Sequence, residues 1–359
     1  MRRRLLALAA LLLAPAAQAQ PIDWAKRAEE RDVVLTNFRF ADGETLPALR
    51  IHVTTLGKPH RDARGQVDNA IMLLHGTGGA AFQFFLPQFA DELYGPGQPF
   101  DIATHYVIIP DNIGHGQSSK PSDGLRMAFP HYGYADMVAA QHRMLVEGLG
   151  VTRLEVILGT SMGCMHAFVW GETFPGFAQR LAPFACNTVA IGGRNRMWRK
   201  MAIDAIEADP AWQGGNYTTP PEAGLRTARD LTIIAGGNAI ALQAQNPTPP
   251  TADAALAADE ARMAKSKDDA DDEIYRLDAS RDYDPSRALE AITVPVLWIN
   301  SSDDFINPPD LGLAQAMVKR MPRARFVLVP GSADTHGHGT HTWAKFWKVD
   351  LARLLAETP

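Results

Sequence analysis

Residues 154–170 read LEVILGTSMGCMHAFVW, and the way this stretch divides decides the fold. Residues 154–158 are an apolar run of strand length, and Gly159-Thr160-Ser161-Met162-Gly163 follows without a break. Residues 164–173 are apolar over a helical length and are stopped by Pro175, which cannot continue a helix. Strand, Gly-x-Ser-x-Gly and helix in this order is the context of a nucleophile elbow. Side chains at the two glycine positions would crowd the neighbouring strand and helix. The Ser161 hydroxyl is expected to project from the end of the sheet, at a helix N-terminus whose dipole favours negative charge. The pentapeptide alone recurs by chance, because Gly and Ser are common in loops. The flanking strand and helix make catalysis the expectation.

The same grammar extends outward. Residues 70–74 are a continuous apolar strand running into His75-Gly76-Thr77-Gly78-Gly79. Residues 82–94 read as a helix, 106–110 as a strand entering Asp111-Asn112-Ile113-Gly114-His115-Gly116, 134–149 as an amphipathic helix and 180–185 as the strand after the elbow helix. Short apolar strands separated by helices predict a parallel sheet covered on both faces. Upstream, residues 33–40 and 46–56 alternate apolar and polar around Asp42-Gly43, which predicts an antiparallel hairpin with one wetted face. Between residues 192 and 289 no strand pattern appears; Pro and Gly clusters and a charged run at 265–273 interrupt helical stretches. A structureless loop of that length is implausible inside a compact domain, so an inserted, mostly helical lid is expected. Residues 294–300 resume the sheet, 311–321 read as a helix, 326–329 as the last strand and 341–355 as a closing helix with His341 in its first turn. The organisation is thus a core of residues 20–191 and 290–359 around a lid of residues 192–289.

Composition narrows the function. The 359 residues carry a net charge of −5, with 46% hydrophobic and 21% charged residues, as expected of a soluble globular protein. No basic surplus points to nucleic acid. Residues 1–19 have three arginines, an apolar centre and Ala17-Gln18-Ala19, the form of a secretory signal peptide cleaved near Ala19. Export to the periplasm or beyond is expected, by a general or a twin-arginine route. The apolar centre is shorter than the roughly 20 residues of a membrane span, so no stable span is expected. Cys164 and Cys186 are the only cysteines. They are expected as two small buried residues, since a bridge demands a Cα separation that sequence does not supply. No cofactor is expected. No Gly-Lys-Ser/Thr follows Gly76 to Gly79, and Gly114-His115-Gly116 is too short for a dinucleotide fingerprint. A homodimer, if formed, is expected to use exposed apolar lid residues.

A serine hydroxyl is a weak nucleophile and needs a base, itself oriented by an acid. After an elbow the chain order is Ser, then Asp or Glu, then His. The strand at 296–300 leads to Ser301-Ser302-Asp303-Asp304. Both aspartates qualify; Asp304 is preferred for its Asp-x-Ile-x-Pro setting, with Asp303 left as a loop-capping carboxylate. After the last strand, His336 and His338 both qualify, and the Gly-His pair ahead of the closing helix favours His338. His336, His338 and His341 could instead hold zinc, but no second ligand cluster stands out and no metal is expected. Oxyanion donors are expected from the backbone N–H groups of Met162 and Thr77.

With these residues in place the chain resembles the α/β-hydrolase superfamily over nearly all of its mature length, and within it the homoserine O-acetyltransferase family. The closer resemblance rests on three blocks. Phe129-Pro130 through Asp136 to Gln141 and Leu149-Gly150-Val151 is similar to the family's segment ahead of the elbow. Ser161-Met162-Gly163 with Met165 and Trp170 resembles its elbow helix. Ala205 to Trp212, with Gly215, Tyr217, Gly224-Leu225 and Ala228-Arg229, resembles the start of its lid. The resemblance implies an α/β-hydrolase fold, a mostly parallel twisted sheet with helices on both faces and an inserted helical lid. It also implies Ser161 as acyl acceptor, Asp304 as orienter and His338 as base. Three positions depart from the family pattern. Gly339 stands where the family has the Asp of Gly-His-Asp. Ile203 stands near its carboxylate-binding arginine, with Arg199 a turn earlier. His75-Gly76-Thr77-Gly78-Gly79 is nearer the form found in esterases. Arg199 and Tyr217 are the substrate-binding candidates, although Arg194, Arg196, Arg199 and Lys200 also read as a solvated helix face. The expected function is a secreted serine hydrolase acting on a small-molecule acyl substrate. The alternatives are an O-acyltransferase of the homoserine O-acetyltransferase type and a non-catalytic binding protein on the same fold.

Overall fold

The computed structural model describes residues 22–265 and 268–358; the segment read as a signal peptide lies outside them. Eight strands, β1 (Glu29–Arg39), β2 (Thr45–Leu56), β3 (Ala70–Leu74), β4 (Tyr106–Pro110), β5 (Val156–Thr160), β6 (Leu181–Phe184), β7 (Val296–Ser301) and β8 (Ala324–Val329), form one sheet. Their order is β1-β2-β4-β3-β5-β6-β7-β8. Strands β3 to β8 pair in parallel. The β1–β2 hairpin is antiparallel and joins the sheet edge through β2 on β4.

The apolar strands are buried on both faces because alternate side chains point to opposite sides. Met72, Leu74, Ile108 and Ile157 enter one apolar cluster. Their neighbours Ile71, Leu73, Ile109 and Leu158 enter another. Helices α1 (Pro87–Leu93), α2 (Tyr134–Arg143), α3 (Met162–Thr173), α4 (Gly193–Ala208), α5 (Glu222–Gly236), α6 (Ala239–Gln245), α7 (Pro249–Met263), α8 (Ala270–Asp278), α9 (Leu313–Met317) and α10 (Lys348–Ala356) complete the chain. Helices α2 and α3 cover the first face with Met137, Val138, Phe168 and Trp170, and α1 and α10 cover the second with Phe89, Leu93, Leu351 and Leu354. Among the described residues between β6 and β7 there is no strand; α4, α5 and α8 share their own core of Ile203, Ile206, Leu225 and Ile274. Among the described residues no helix is long and apolar enough to cross a membrane.

Four expectations need correction. Residues 311–321 are broken by a left-handed Gly312, after which come α9 and a 3₁₀ turn (Val318–Arg320). Residues 82–94 divide into a 3₁₀ turn (Ala81–Phe85) and α1. The closing helix begins at Lys348, and His341 lies earlier, in a 3₁₀ segment (Gly337–Thr342). That segment starts at a left-handed Gly337 and ends at Trp343, whose extended backbone (φ −99°, ψ 90°) breaks the chain before the closing helix. Cys164 and Cys186 are not two separate residues but a disulfide. Because β5 and β6 are adjacent, α3 and the end of β6 start side by side, and the two Cα atoms stand 5.9 Å apart, inside the range a bridge requires.

Candidate active site

The elbow is built by close approach. A Cβ on Gly159 would lie 1.9 Å from the Gly163 carbonyl oxygen, and one on Gly163 would lie 2.0 Å from that of Leu74. Only glycine fits either position. Between them Ser161 takes φ 55° and ψ −109°, a left-handed conformation costing a side-chain-bearing residue about 1–3 kcal/mol. It is held there by Ser161 N–H donating to Phe184 O at 2.8 Å and Gly163 N–H donating to His75 O at 3.0 Å. The conformation lifts the hydroxyl clear of the strand at the start of α3.

The structure brings Ser161, His338 and Asp304 into one hydrogen-bonded line. His338 Nε2 lies 2.8 Å from Ser161 Oγ, and His338 Nδ1 lies 2.8 Å from Asp304 Oδ2. A ring between a carboxylate and a hydroxyl donates from Nδ1 and accepts at Nε2, the state of a base ready to take the serine proton. Asp304 is fully buried. Burial acts to raise its pKa, but the charge and hydrogen bond of His338 and the bonds from Asn307 outweigh it and hold the carboxyl below its usual range. Its Oδ1 accepts from the N–H groups of Ile306 and Asn307 at 2.7 and 3.1 Å, and its Oδ2 from Asn307 Nδ2 at 3.1 Å. Asp303, the other candidate, braces the histidine loop instead: its Oδ2 accepts from Thr335 Oγ1 at 2.7 Å and Gly337 N–H at 3.1 Å. His336 stacks on Trp343 with centroids 3.9 Å apart. The three nearby histidines therefore do not converge, and among the described residues no group of three His, Cys, Asp or Glu is placed to hold a metal.

Sequence reading missed the residues that hold this line. Asn307 bonds Asp304 and also donates to Ala185 O at 3.1 Å. Asn238, between α5 and α6, donates to Ser332 O at 2.9 Å and so ties the lid to the histidine loop. Gln83 accepts from Gly76 N–H at 3.2 Å and donates to Thr160 Oγ1 at 2.7 Å. Each also bonds a group far away in the chain, Ala185, Ser332 or Thr160, and that long-range bond leaves no local signal.

A pocket of about 270 Å³ opens on Ser161 and His338 between Thr77 of the glycine loop and Trp198, Arg199 and Ala235 of the lid. Arg199 is 2% exposed. Its Nε donates to Asn195 Oδ1 at 3.1 Å, but Nη1 is buried without a partner and no carboxylate pairs with it among the described residues. Burial, the largest influence, lowers its pKa. Tyr217 is not brought to this pocket. Its hydroxyl accepts from Ala270 N–H at 2.9 Å, anchoring the start of α8, and from Arg126 Nη1 at 3.3 Å. Thr77 lines the pocket and Met162 is buried at the first turn of α3. Among the described residues, the Thr77 N–H has no hydrogen-bond acceptor.

The fold agrees with the comparisons. A sequence model of the alpha/beta hydrolase fold matches residues 69–335, and the chain belongs to that family. Homoserine O-acetyltransferase of Chloroherpeton thalassium is 27% identical over 326 residues, covering 83% of this chain and 81% of that protein. The crystal structure of homoserine O-acetyltransferase from Bacillus anthracis superposes with a TM-score of 0.80 at 20% identity, over 92% of this chain and 98% of that one. An acetylester hydrolase from Corynebacterium glutamicum superposes with a TM-score of 0.77 at 19% identity, over 92% and 96%. A transferase and a hydrolase thus share this fold.

Proposed function

We propose that the protein is an O-acyltransferase working through an acyl-enzyme on Ser161, and that it carries a secondary capacity for ester hydrolysis. The observation that carries the reading is the Ser161–His338–Asp304 line opening on a pocket that contains an unpaired arginine. Similarity to a homoserine O-acetyltransferase supports transfer ahead of the hydrolysis expected from sequence alone.

Ser161 Oγ attacks the acyl carbonyl while His338 Nε2 takes its proton. Asp304 keeps the imidazole oriented and stabilises the imidazolium. The oxyanion is received by the N–H groups of Thr77 and Met162. Collapse expels the leaving group, which takes the proton from His338. An acceptor hydroxyl then gives its proton to His338 and attacks the acyl carbon; the tetrahedral intermediate collapses, Ser161 Oγ leaves and takes the proton back from His338, and a new ester is released. Water in place of the acceptor gives hydrolysis, so the outcome depends on how the lid pocket holds an acceptor. Arg199 supplies a charge for an anionic one. Gly339 and Ile203, which replace groups of the homoserine-binding pattern, support the hydrolytic side reaction and an acceptor other than homoserine.

We read the mature protein as lying outside the cytoplasm; residues 1–19 and the disulfide support this, since disulfides persist in oxidising compartments. The acyl donor there is an ester, because acetyl-CoA is a cytoplasmic metabolite. Purified protein should release p-nitrophenol from p-nitrophenyl acetate and be labelled by a fluorophosphonate, and Ser161→Ala should abolish both. Folded protein without labelling or turnover would sink the acyl-enzyme. Hydroxylated carboxylic acids other than homoserine should divert acetate into an ester product, and more so than homoserine. If none does, hydrolysis becomes the first reading.

A further inference from the structure

Trp170, at the far end of α3, is buried, and its indole N–H can only donate. It donates to Gln141 Oε1 at 2.6 Å. With that oxygen accepting, the Gln141 amide nitrogen faces the other way and donates to Asn112 Oδ1. The Asn112 side-chain nitrogen then stands 3.0 Å from His75 Nε2. The Asn112 backbone N–H, which also can only donate, meets the same ring nitrogen at 3.1 Å. His75 Nε2 therefore presents its lone pair, and the ring proton sits on Nδ1, 2.8 Å from Gly76 O. Both ends of the chain are groups with no freedom of direction, so every bond between them has one polarity.

Gly76 O belongs to the same peptide as the Thr77 N–H. A hydrogen bond on a carbonyl fixes the peptide plane and withdraws electrons from it, which makes the opposite N–H a stronger donor. In a trans peptide that N–H points away from the carbonyl, and no cis peptide is present among the described residues. It therefore points away from the buried ring. Gly76 itself abuts the nucleophile: a Cβ there would lie 3.3 Å from Ser161 Cβ. Burial keeps His75 neutral against the pull of Asp111, as the chain requires.

We infer that Trp170, Gln141, Asn112 and His75 are positioning residues, a one-way donor chain that sets the His75 tautomer and aims the Thr77 N–H at the developing oxyanion. The inference rests on the acyl-enzyme reading for its purpose, though not for its geometry. None of the four touches the reacting atoms.

The test has two arms. Protein carrying ¹⁵N-histidine, with the His75 signals assigned by their loss in a His75 variant, should show His75 as the Nδ1–H tautomer. In the second arm, His75→Asn places an amide donor near Nδ1, and His75→Gln places one near Nε2. With p-nitrophenyl acetate, His75→Asn should keep kcat/KM within about tenfold of the unmodified protein. His75→Gln should lose about 100-fold and Gln141→Met, which leaves the Asn112 backbone N–H on Nε2, about tenfold, with KM moving less than about threefold in both. Inhibition by a trifluoromethyl ketone, whose tetrahedral adduct needs the oxyanion donors, should weaken in parallel. An Nε2–H tautomer would overturn the inference whether or not the variants fold, and so would equal impairment by Asn and Gln at position 75. The tautomer is read without turnover, so an unmodified protein that is inactive but shows Nδ1–H would sink the acyl-enzyme reading and leave the chain standing.

Discussion

Removing a guanidinium from water costs several kcal/mol, and proteins ordinarily offset that with a paired carboxylate. Among the described residues, Arg199 is buried at 2% exposure with an unpartnered Nη1, the Trp198 ring 4.9 Å away and Asn195 on its Nε, while Tyr134 and Glu273 act on it electrostatically without pairing. On the acyl-transfer reading proposed above, this charge serves a ligand rather than the fold. Arg199→Met keeps the volume and removes the charge. It should stabilise the protein by about 1–3 kcal/mol in urea unfolding. It should also raise KM for carboxylate-bearing acceptors about tenfold or more relative to neutral alcohols of the same size. Equal effects on charged and neutral acceptors would remove Arg199 from substrate selection. At the same scale, Asp303 and Asp304 are adjacent in sequence yet serve different partners, because successive residues leaving a strand point in different directions. One braces the Thr335–Gly337 turn and the other meets the imidazole.

Helix α3 carries the nucleophile at its start and a partly buried carboxyl near its end. Glu172 is partly buried with Oε1 unpartnered. Burial above all, then the nearby charge of Asp284, raise its pKa to about 8, against the pull of Arg320. Its carboxylate also faces the negative end of the helix dipole. Between pH 4.5, its usual value, and about 8 the folded state holds a proton that the unfolded state has released, so this group's contribution to stability falls as pH rises through that window. Glu172→Gln removes the penalty. It should stabilise the protein at pH 9 by about 1 kcal/mol, allowing for solvent screening of a half-exposed group, and do little at pH 4. Melting curves at the two pH values check this; a gain of the same size at both would refute it.

At the scale of the whole molecule, the elements that carry Ser161 and Asp304 are fastened to each other. The Cys164–Cys186 disulfide joins α3 to the chain just after β6, across a sequence separation of 22. The adjoining Ala185 carbonyl accepts from Asn307, which holds Asp304. Replacing both cysteines with alanine should lower stability by about 3 kcal/mol, the loop-closure value for a loop of this size, seen as a lower denaturant midpoint. An unchanged midpoint would mean that packing alone holds the two elements.

What could be read from residue order alone was whatever short-range chemistry decides. Five-residue apolar runs place β3, β4 and β5 inside a covered sheet, and Gly159 and Gly163 mark an elbow because no other residue fits the crossing of strand and helix. The order Ser161, Asp304, His338 follows from the same pattern, and these are the three residues that meet. The aim of Arg199, the inward turn of Tyr217, the disulfide and the Trp170-to-His75 chain were decided only by the tertiary structure. Each depends on segments separated in sequence, and the direction of a donor or the distance between two Cα atoms exists only once the sheet has set those segments side by side.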